Sequence, residues 1–297
     1  MNHNRPVSYF TSPELIVQQS GTVTLNTTQT NIATELGEFY ALVNRYCLDY
    51  SNYVLVQCNR TFVPYKATKT YYTQEEKQSR YLYSDVFGNY HLELNEDLLT
   101  VGSITVAGTV LTTTQYRFKT DEYPYRELVI SSDANVSFEF DFDETIVIIG
   151  EWGYADDPNN LYTTIETLSA GINASVTTIN VTLYSAYKTF EYIKIDDELM
   201  LITATTDGTP DTITVTRGVN GTTAASHLIS VPIKRWNVVP IVREVATRDV
   251  TFAYDSRNNY GTRIEFLGGG AMITSQGIDA IEKTIKLYKA PYIGGII

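Results

Sequence analysis

Apolar residues recur every three or four positions in two parts of the chain, which is the spacing of an amphipathic helix. The first part covers residues 31–59, where Asn31 or Thr30 can accept the free backbone amides of the first turn. Its apolar stripe consists of Leu36, Phe39, Tyr40, Val43, Tyr46, Cys47, Tyr50 and Val54. The second part begins at Pro240, which suits the first turn of a helix, and a further stripe follows at 278–288. The pattern predicts one long helix early in the chain and two closing helices near its end.

Between these helices apolar and polar residues alternate, as they do in strands that bury one face of a sheet. The alternation covers residues 62–149 and returns at 163–235. In the second stretch, the segments on either side of Asp196 and Asp197 can pair as a hairpin. Two antiparallel β-blocks are therefore predicted.

The order of these elements predicts the fold class and the domains. Residues 1–30 alternate only weakly and are interpreted as an N-terminal arm. The helices before and after the second β-block need each other to bury their stripes, so that block is interpreted as an insertion. We therefore expect an α+β fold with a helical core and an antiparallel β-block, formed by residues 31–162 and 236–297. The inserted all-β domain, a small barrel or sandwich, is expected at 163–235.

The composition narrows the class of partner. With 34 acidic and 22 basic residues the formal net charge is −12, which argues against a protein that grips a phosphate backbone. The same charge suits a wall past which nucleic acid slides without sticking. The 23 tyrosines favour a protein with large interfaces, because tyrosine is apolar in body and polar at its tip. No apolar run reaches the roughly 20 residues of a membrane helix, so no membrane is expected.

Three consecutive acids, Asp196, Asp197 and Glu198, are the first candidate site, because clustered carboxylates can bind cations. They lie at the tip of the predicted hairpin, without the glycine-spaced loop that calcium favours, so no metal and no cofactor are expected. Arg217 is expected to form a structural salt bridge with a nearby acid. The two tryptophans flank the inserted block, and Trp152 and Trp236 are the candidates for anchoring it.

His227 is the natural candidate for a catalytic histidine, but a general base needs a nucleophile and an orienting partner. No spacing of a known catalytic motif occurs around His227. The glycine-rich segment 266–271 lacks the Lys-Ser/Thr pair of a phosphate loop. The residues therefore predict a protein that is not an enzyme. One alternative is a hydrolase that uses Asp141 and Asp143, two carboxylates on one predicted strand face.

Several short motifs, in their order along the chain, resemble one family. The segment VNRYCLDYSNYVLVQCNRTFVPYKATKTYY, at 43–72, resembles the helix and R-x-F entry of phage head–tail adaptor proteins. Segments similar to that family's central strands and closing helices lie at 95–118, 123–130, 146–154, 239–257 and 281–292. The inserted block departs from compact members. Its segments IKIDDELMLIT and ITVTRGVNGTTAASH resemble a small β-module of phage tail and neck proteins.

The resemblance implies a structural virion protein of the head–tail junction, made in the host cytoplasm. It implies a ring of about twelve copies that joins the portal to the tail, with genomic DNA passing through the lumen without specific binding. Tail or tail-fibre proteins are further expected partners. The apolar C-terminal segment is expected to dock on the portal through Tyr292, Ile293, Ile296 and Ile297. The alternative is a fibre-anchoring or receptor-binding β-protein of the virion tail.

Overall fold

The computed structural model describes residues 9–20, 32–74, 81–119, 123–136, 138, 144–256 and 287–289. Three α-helices lie in this part of the chain: α1 (Pro13–Ser20), α2 (Ile32–Cys58) and α3 (Pro240–Ser256). The predictions of a long helix at 31–59 and of a helix starting at Pro240 are confirmed. The predicted last helix lies almost entirely outside the described residues. The docking candidates of the C-terminal segment also lie outside them, namely Tyr292, Ile293, Ile296 and Ile297.

The first sheet is antiparallel and has seven strands: β1 (Tyr65–Tyr72), β2 (Leu82–Ser84), β3 (Tyr90–Val106), β4 (Thr109–Val110), β5 (Tyr116–Phe118), β6 (Tyr125–Ile130) and β7 (Thr145–Trp152). The strand order is β1-β7-β3-β6-β5, and β2 and β4 pair with β3. The alternating apolar residues of these strands meet in a core that belongs to this sheet. Its fully buried members include Leu92, Leu94, Leu98, Ile104, Ile146, Ile148 and Trp152.

The second sheet is also antiparallel and has six strands: β8 (Tyr162–Thr167), β9 (Thr178–Val181), β10 (Tyr192–Ile195), β11 (Glu198–Thr206), β12 (Asp211–Thr216) and β13 (Pro232–Trp236). Their order is β8-β13-β10-β11-β12-β9. All six strands contribute apolar side chains to one interior. This interior includes Ile165, Ile179, Ile193, Ile195, Met200, Ile202, Ile213 and Ile233.

The second sheet curls until its first and last strands approach each other. Glu166 on β8 accepts hydrogen bonds from the Thr182 N–H (3.0 Å), just past β9, and from the Tyr187 hydroxyl (2.7 Å). These side-chain bonds connect the two edge strands, which share no backbone ladder. We call residues 162–236 the barrel, because the curled sheet encloses its own apolar interior.

The helices pack against each other, against the barrel and against the end of the first sheet. Val54 of α2 and Val242 of α3 share a buried cluster with Tyr192 and Trp236 of the barrel and with Leu99 of β3. Residues of α1, α2 and α3 form a second small cluster, consisting of Ile16, Val43, Cys47 and Val250. Among the described residues, no helix is long and apolar enough to cross a lipid bilayer.

The expectation of a helical core with a β insert is wrong. The chain is mainly β, with two antiparallel sheets of seven and six strands. The described parts of α2 and α3 do pack against each other, but Tyr192 and Trp236 of the barrel also lie in the cluster that buries them. Each sheet also has its own core, so the helices form a layer beside two β-units and do not frame the fold.

Candidate functional site

The β10–β11 hairpin separates the three consecutive acids that the sequence places together. Ile195 pairs with Glu198 across the turn, which confirms the predicted hairpin across Asp196 and Asp197. The side chain of Asp197 is 88% exposed, whereas that of Glu198 is 1% exposed. Because side chains alternate along a strand, Glu198 shares its face with the buried Met200 and points into the barrel. The three acids that are consecutive at the hairpin tip therefore do not form one cluster, since Glu198 is buried and Asp197 is exposed.

Glu198 holds Arg217 in a bidentate ion pair. Arg217 Nε lies 2.7 Å from Glu198 Oε1 and its Nη2 lies 2.7 Å from Oε2. The backbone N–H groups of Gly218 and Ala225 also donate to the carboxylate, each over 2.9 Å. Burial acts to raise the pKa of Glu198, but the hydrogen bonds from Arg217, Ala225 and His227 lower it to about 2. The expected structural salt bridge of Arg217 is thus present, and its partner is a buried carboxylate.

His227 bridges two of the three acids. Its Nδ1 lies 2.8 Å from Asp196 Oδ2, and its Nε2 lies 2.9 Å from Glu198 Oε2. The imidazole is buried, so both ring nitrogens are engaged inside the protein. We call Asp196, Glu198, Arg217 and His227 the tip network.

The tip network joins three loops at one end of the barrel. Beyond its carboxylate partner, Arg217 donates to the carbonyl oxygens of Asn173 (2.9 Å), Val176 (2.7 Å) and Ala225 (2.6 Å). The loop before β9, the loop after β12 and the β10–β11 turn are therefore held by one guanidinium group. Because its polar groups are engaged within the fold, we interpret the tip network as a structural feature that holds these loops together.

An open cleft of about 440 Å³ lies beside the tip network and faces the first sheet. Its wall includes Lys66, whose Nζ pairs with Asp197 over 3.2 Å. In the described part of the chain, no group of three or more His, Cys, Asp or Glu side chains is arranged to hold a metal ion. The cleft therefore lies along the seam between barrel and first sheet, where its charged groups pair with one another.

Two contacts hold the barrel against β1 at this seam. The Asn220 side-chain amide donates to Pro64 O over 3.0 Å, and the Lys66 N–H donates to Asn220 O over 2.9 Å. Gly221 has φ +79°, and a Cβ there would lie 2.1 Å from Lys66 O. Only glycine fits this close approach of two backbones.

A buried ion pair and an indole hydrogen bond add to these contacts further along the barrel. We call the contacts between the barrel and the first sheet the joint. Lys194 Nζ of β10 lies 2.6 Å from Glu151 Oε2 of β7, and the Tyr162 hydroxyl donates to the same carboxylate. Trp236 donates its indole N–H to Phe62 O over 3.1 Å and so connects the barrel to the segment before β1. Trp152 lies instead in the core of the first sheet and donates to Ala67 O over 3.1 Å. Both tryptophans were anchoring candidates, and these are their partners.

The remaining candidates have separate places. The hydrolase pair Asp141 and Asp143 and the glycine-rich segment 266–271 lie outside the described residues. Cys47 and Cys58 are buried free thiols, and burial raises the pKa of Cys47 to about 12 and that of Cys58 to about 11. His91 of β3 lies 2.6 Å from Glu127, far along the chain from the tip network.

Neither protein-family models nor curated proteins match this chain.

The low pKa of Glu198 predicts a specific acid dependence. A carboxyl with a lowered folded pKa stabilises the fold above its unfolded pKa, near 4.5, and this contribution is lost as the pH falls towards about 2. The difference in free energy of unfolding between the wild type and Glu198→Gln should therefore shrink between about pH 5 and pH 2. Urea unfolding of both proteins across this range measures it. A difference that stays constant down to pH 2 would contradict the assigned role of the carboxylate.

Proposed function

We propose that the protein is a structural, non-enzymatic subunit of a phage head–tail adaptor ring, which joins the portal to the tail and continues the DNA channel. The proposal builds on the order of motifs along the chain, on the acidic charge of −12 and on the abundance of tyrosine. It does not depend on a helical core. The two sheets and their joint would form the rigid body of each subunit.

The joint suits a mechanical role, since it holds the two sheets as one body. It combines the buried Glu151–Lys194 pair, the Trp236–Phe62 bond and the backbone contact of Asn220 with Lys66. The apolar cluster around Trp236, its indole hydrogen bond and the backbone contact fix the two sheets relative to each other. A rigid subunit of this kind can fix how its two neighbours in a ring are placed relative to each other.

The observation of the structure that most supports the proposal is an exposed apolar turn on the first sheet. Val86 and Phe87, in the turn between β2 and β3, are 94% and 79% exposed. The turn is nevertheless fixed, because Asp85 Oδ1 accepts from the N–H groups of Phe87 and Asn89, each over 2.9 Å. The Ser132 N–H in turn donates to Asn89 Oδ1 over 3.1 Å. An aromatic side chain held rigidly in water is typical of a protein contact.

The role of the exposed Val86–Phe87 turn can be tested in a junction reconstituted from this protein with the portal and tail proteins of the same phage. The double variant Val86→Ser, Phe87→Ser should bind at least about tenfold more weakly, because it loses the apolar anchor and keeps the turn. Val110→Ser, which changes an exposed valine of β4, is the matched control and should bind as the wild type does. Sedimentation of labelled protein with the junction gives the affinity. Equal binding by both variants would remove this support.

A fibre-anchoring or receptor-binding tail protein is the second candidate, and the mainly β fold favours it. The outer wall of the barrel presents Thr178 and Asn180 on β9 and Thr216 on β12, all of them exposed and uncharged. Such a face suits contacts with polar uncharged groups. Full-length protein that ignores the portal and binds the surface of host cells would support this reading over the adaptor.

A further inference from the structure

Strand β9 has no backbone ladder on its outer side, although Glu166 of β8 reaches its Thr182 end. The Val215 N–H of β12 donates to Thr177 O over 2.8 Å, so the backbone groups of Thr178 and Asn180 point away from β12. The next outward N–H, that of Thr182, donates to Glu166. In the part of the chain that the structure describes, no hydrogen bond uses the N–H of Thr178 or Asn180. Such an edge is a template for another strand.

Apart from Glu166 at its Thr182 end, the edge at β9 carries little of the usual protection against pairing. Proteins guard edge strands with charged side chains, proline or a bulge. Residues 167–187 contain no Asp, Glu, Lys, Arg or Pro, although the whole chain has a net charge of −12. The register of β9 with β12 shows no bulge. Exposed apolar side chains lie at both ends of this strip, Leu183 after β9 and Leu228 and Ile229 against Gly171.

Strand β1 is a second unpaired edge, on the first sheet. The Lys66 N–H points outward to Asn220 O, so by alternation the outward backbone groups further along belong to Thr68 and Thr70. Both threonines are exposed, and among the described residues nothing hydrogen-bonds to their N–H groups. The two lysines of β1 are engaged elsewhere, Lys66 with Asp197 and Lys69 with Glu96. Because both lysine side chains are already paired, neither is available to oppose strand pairing at this edge.

We propose that β9 of one copy adds to β1 of the next copy, so that the barrel of each subunit pairs with the first sheet of its neighbour. This inference rests on the proposed ring, since a closed ring needs two different complementary surfaces on each rigid subunit. Both edges offer outward N–H and C=O groups flanked by threonine side chains, and cross-strand threonine pairs are favourable. The uncharged strip at β9 lets two strongly acidic copies approach with little repulsion.

Two proline variants test the pairing, because each removes one outward N–H that the subunit itself does not use. Asn180→Pro blocks β9 and Thr70→Pro blocks β1, while Asn180→Thr and Thr70→Val keep the N–H groups as controls. Light scattering is measured under the conditions in which the wild type assembles. Each proline variant should stay at 33.4 kDa, and both controls should form the ring. An equimolar mixture of the proline variants should give a heterodimer of about 67 kDa, since each retains the edge that the other lacks.

A ring formed by either proline variant, or a mixture that stays monomeric, would overturn the pairing and leave the ring itself standing. A wild type that never assembles would instead overturn the proposed function. Thermal unfolding shows whether each variant is folded. If a proline lowers the melting temperature, Asn180→Lys or Thr70→Lys replaces it, because a lysine opposes edge pairing through its side chain.

Discussion

Replacing Glu198 with alanine is expected to lower the free energy of unfolding by about 3–5 kcal/mol. The change leaves the buried Arg217 guanidinium without its bidentate partner and removes the acceptor of the Gly218 and Ala225 N–H groups. His227 also loses the partner of its Nε2. Urea unfolding at neutral pH, followed by tryptophan fluorescence, measures the loss.

The neighbouring acid provides the matched control. Asp197→Ala changes a side chain that is 88% exposed and that pairs, among the described residues, with Lys66, so it should cost less than about 1 kcal/mol. Similar losses for the two variants would show that the tip network does not hold the barrel together. A loss below about 1 kcal/mol for Glu198→Ala would show the same.

Replacing Trp236 with alanine is expected to cost about 3–5 kcal/mol, because a large buried side chain leaves a cavity between the barrel and the helices. Trp236 is 1% exposed and shares its cluster with Phe10, Val54 and Phe62. Its ring also packs edge-on against Tyr162, with centroids 5.3 Å apart. Chemical denaturation followed by circular dichroism measures the effect.

Trp236→Phe separates packing from hydrogen bonding at this site. Phenylalanine keeps much of the apolar volume but leaves Phe62 O without the indole donor, so the expected loss is about 1–3 kcal/mol. A variant with alanine that is as stable as the wild type would contradict the role of Trp236 in the joint. Equal losses for the two variants would assign the whole effect to the hydrogen bond.

Local pattern predicted most of the elements, because periodicity depends on neighbours in the chain, but it missed α1 (Pro13–Ser20) in the stretch interpreted as an arm. The long helix was expected at 31–59 and spans Ile32–Cys58, and the second starts at Pro240 as expected. The hairpin across Asp196 and Asp197 followed from turn chemistry. The predicted fold class was wrong, because a stripe of apolar residues does not show which partner buries it. In this fold Tyr192 and Trp236 of the barrel contribute to covering the helices.

The tip network could not be located from the sequence, since Glu198 lies 19 residues from Arg217 and 29 from His227. Only folding brings these groups within hydrogen-bond distance. One signal was nevertheless present. Glu198 is in phase with Met200 and Ile202, both buried, and a carboxylate at an inward position of a strand implies a buried cationic partner. Arg217 was then the basic residue closest in the chain after the hairpin.

The two sheets and their joint give the proposed adaptor a physical basis. Pairing between β9 and β1 would extend a sheet from one subunit into the next, and the joint would keep successive subunits in register. The C-terminal segment from Tyr292 to Ile297 would then be available to the portal. In the proposed ring, acidic side chains would face the DNA.

Light scattering of the full-length protein, alone and then with the portal of the same phage, tests the adaptor proposal most directly. A version ending at Ala290 is measured beside it. The account predicts a ring of about 400 kDa, twelve times 33.4 kDa, that binds the portal, and a shortened protein that does not bind it. Full-length protein that remains at 33.4 kDa with the portal present would contradict the account.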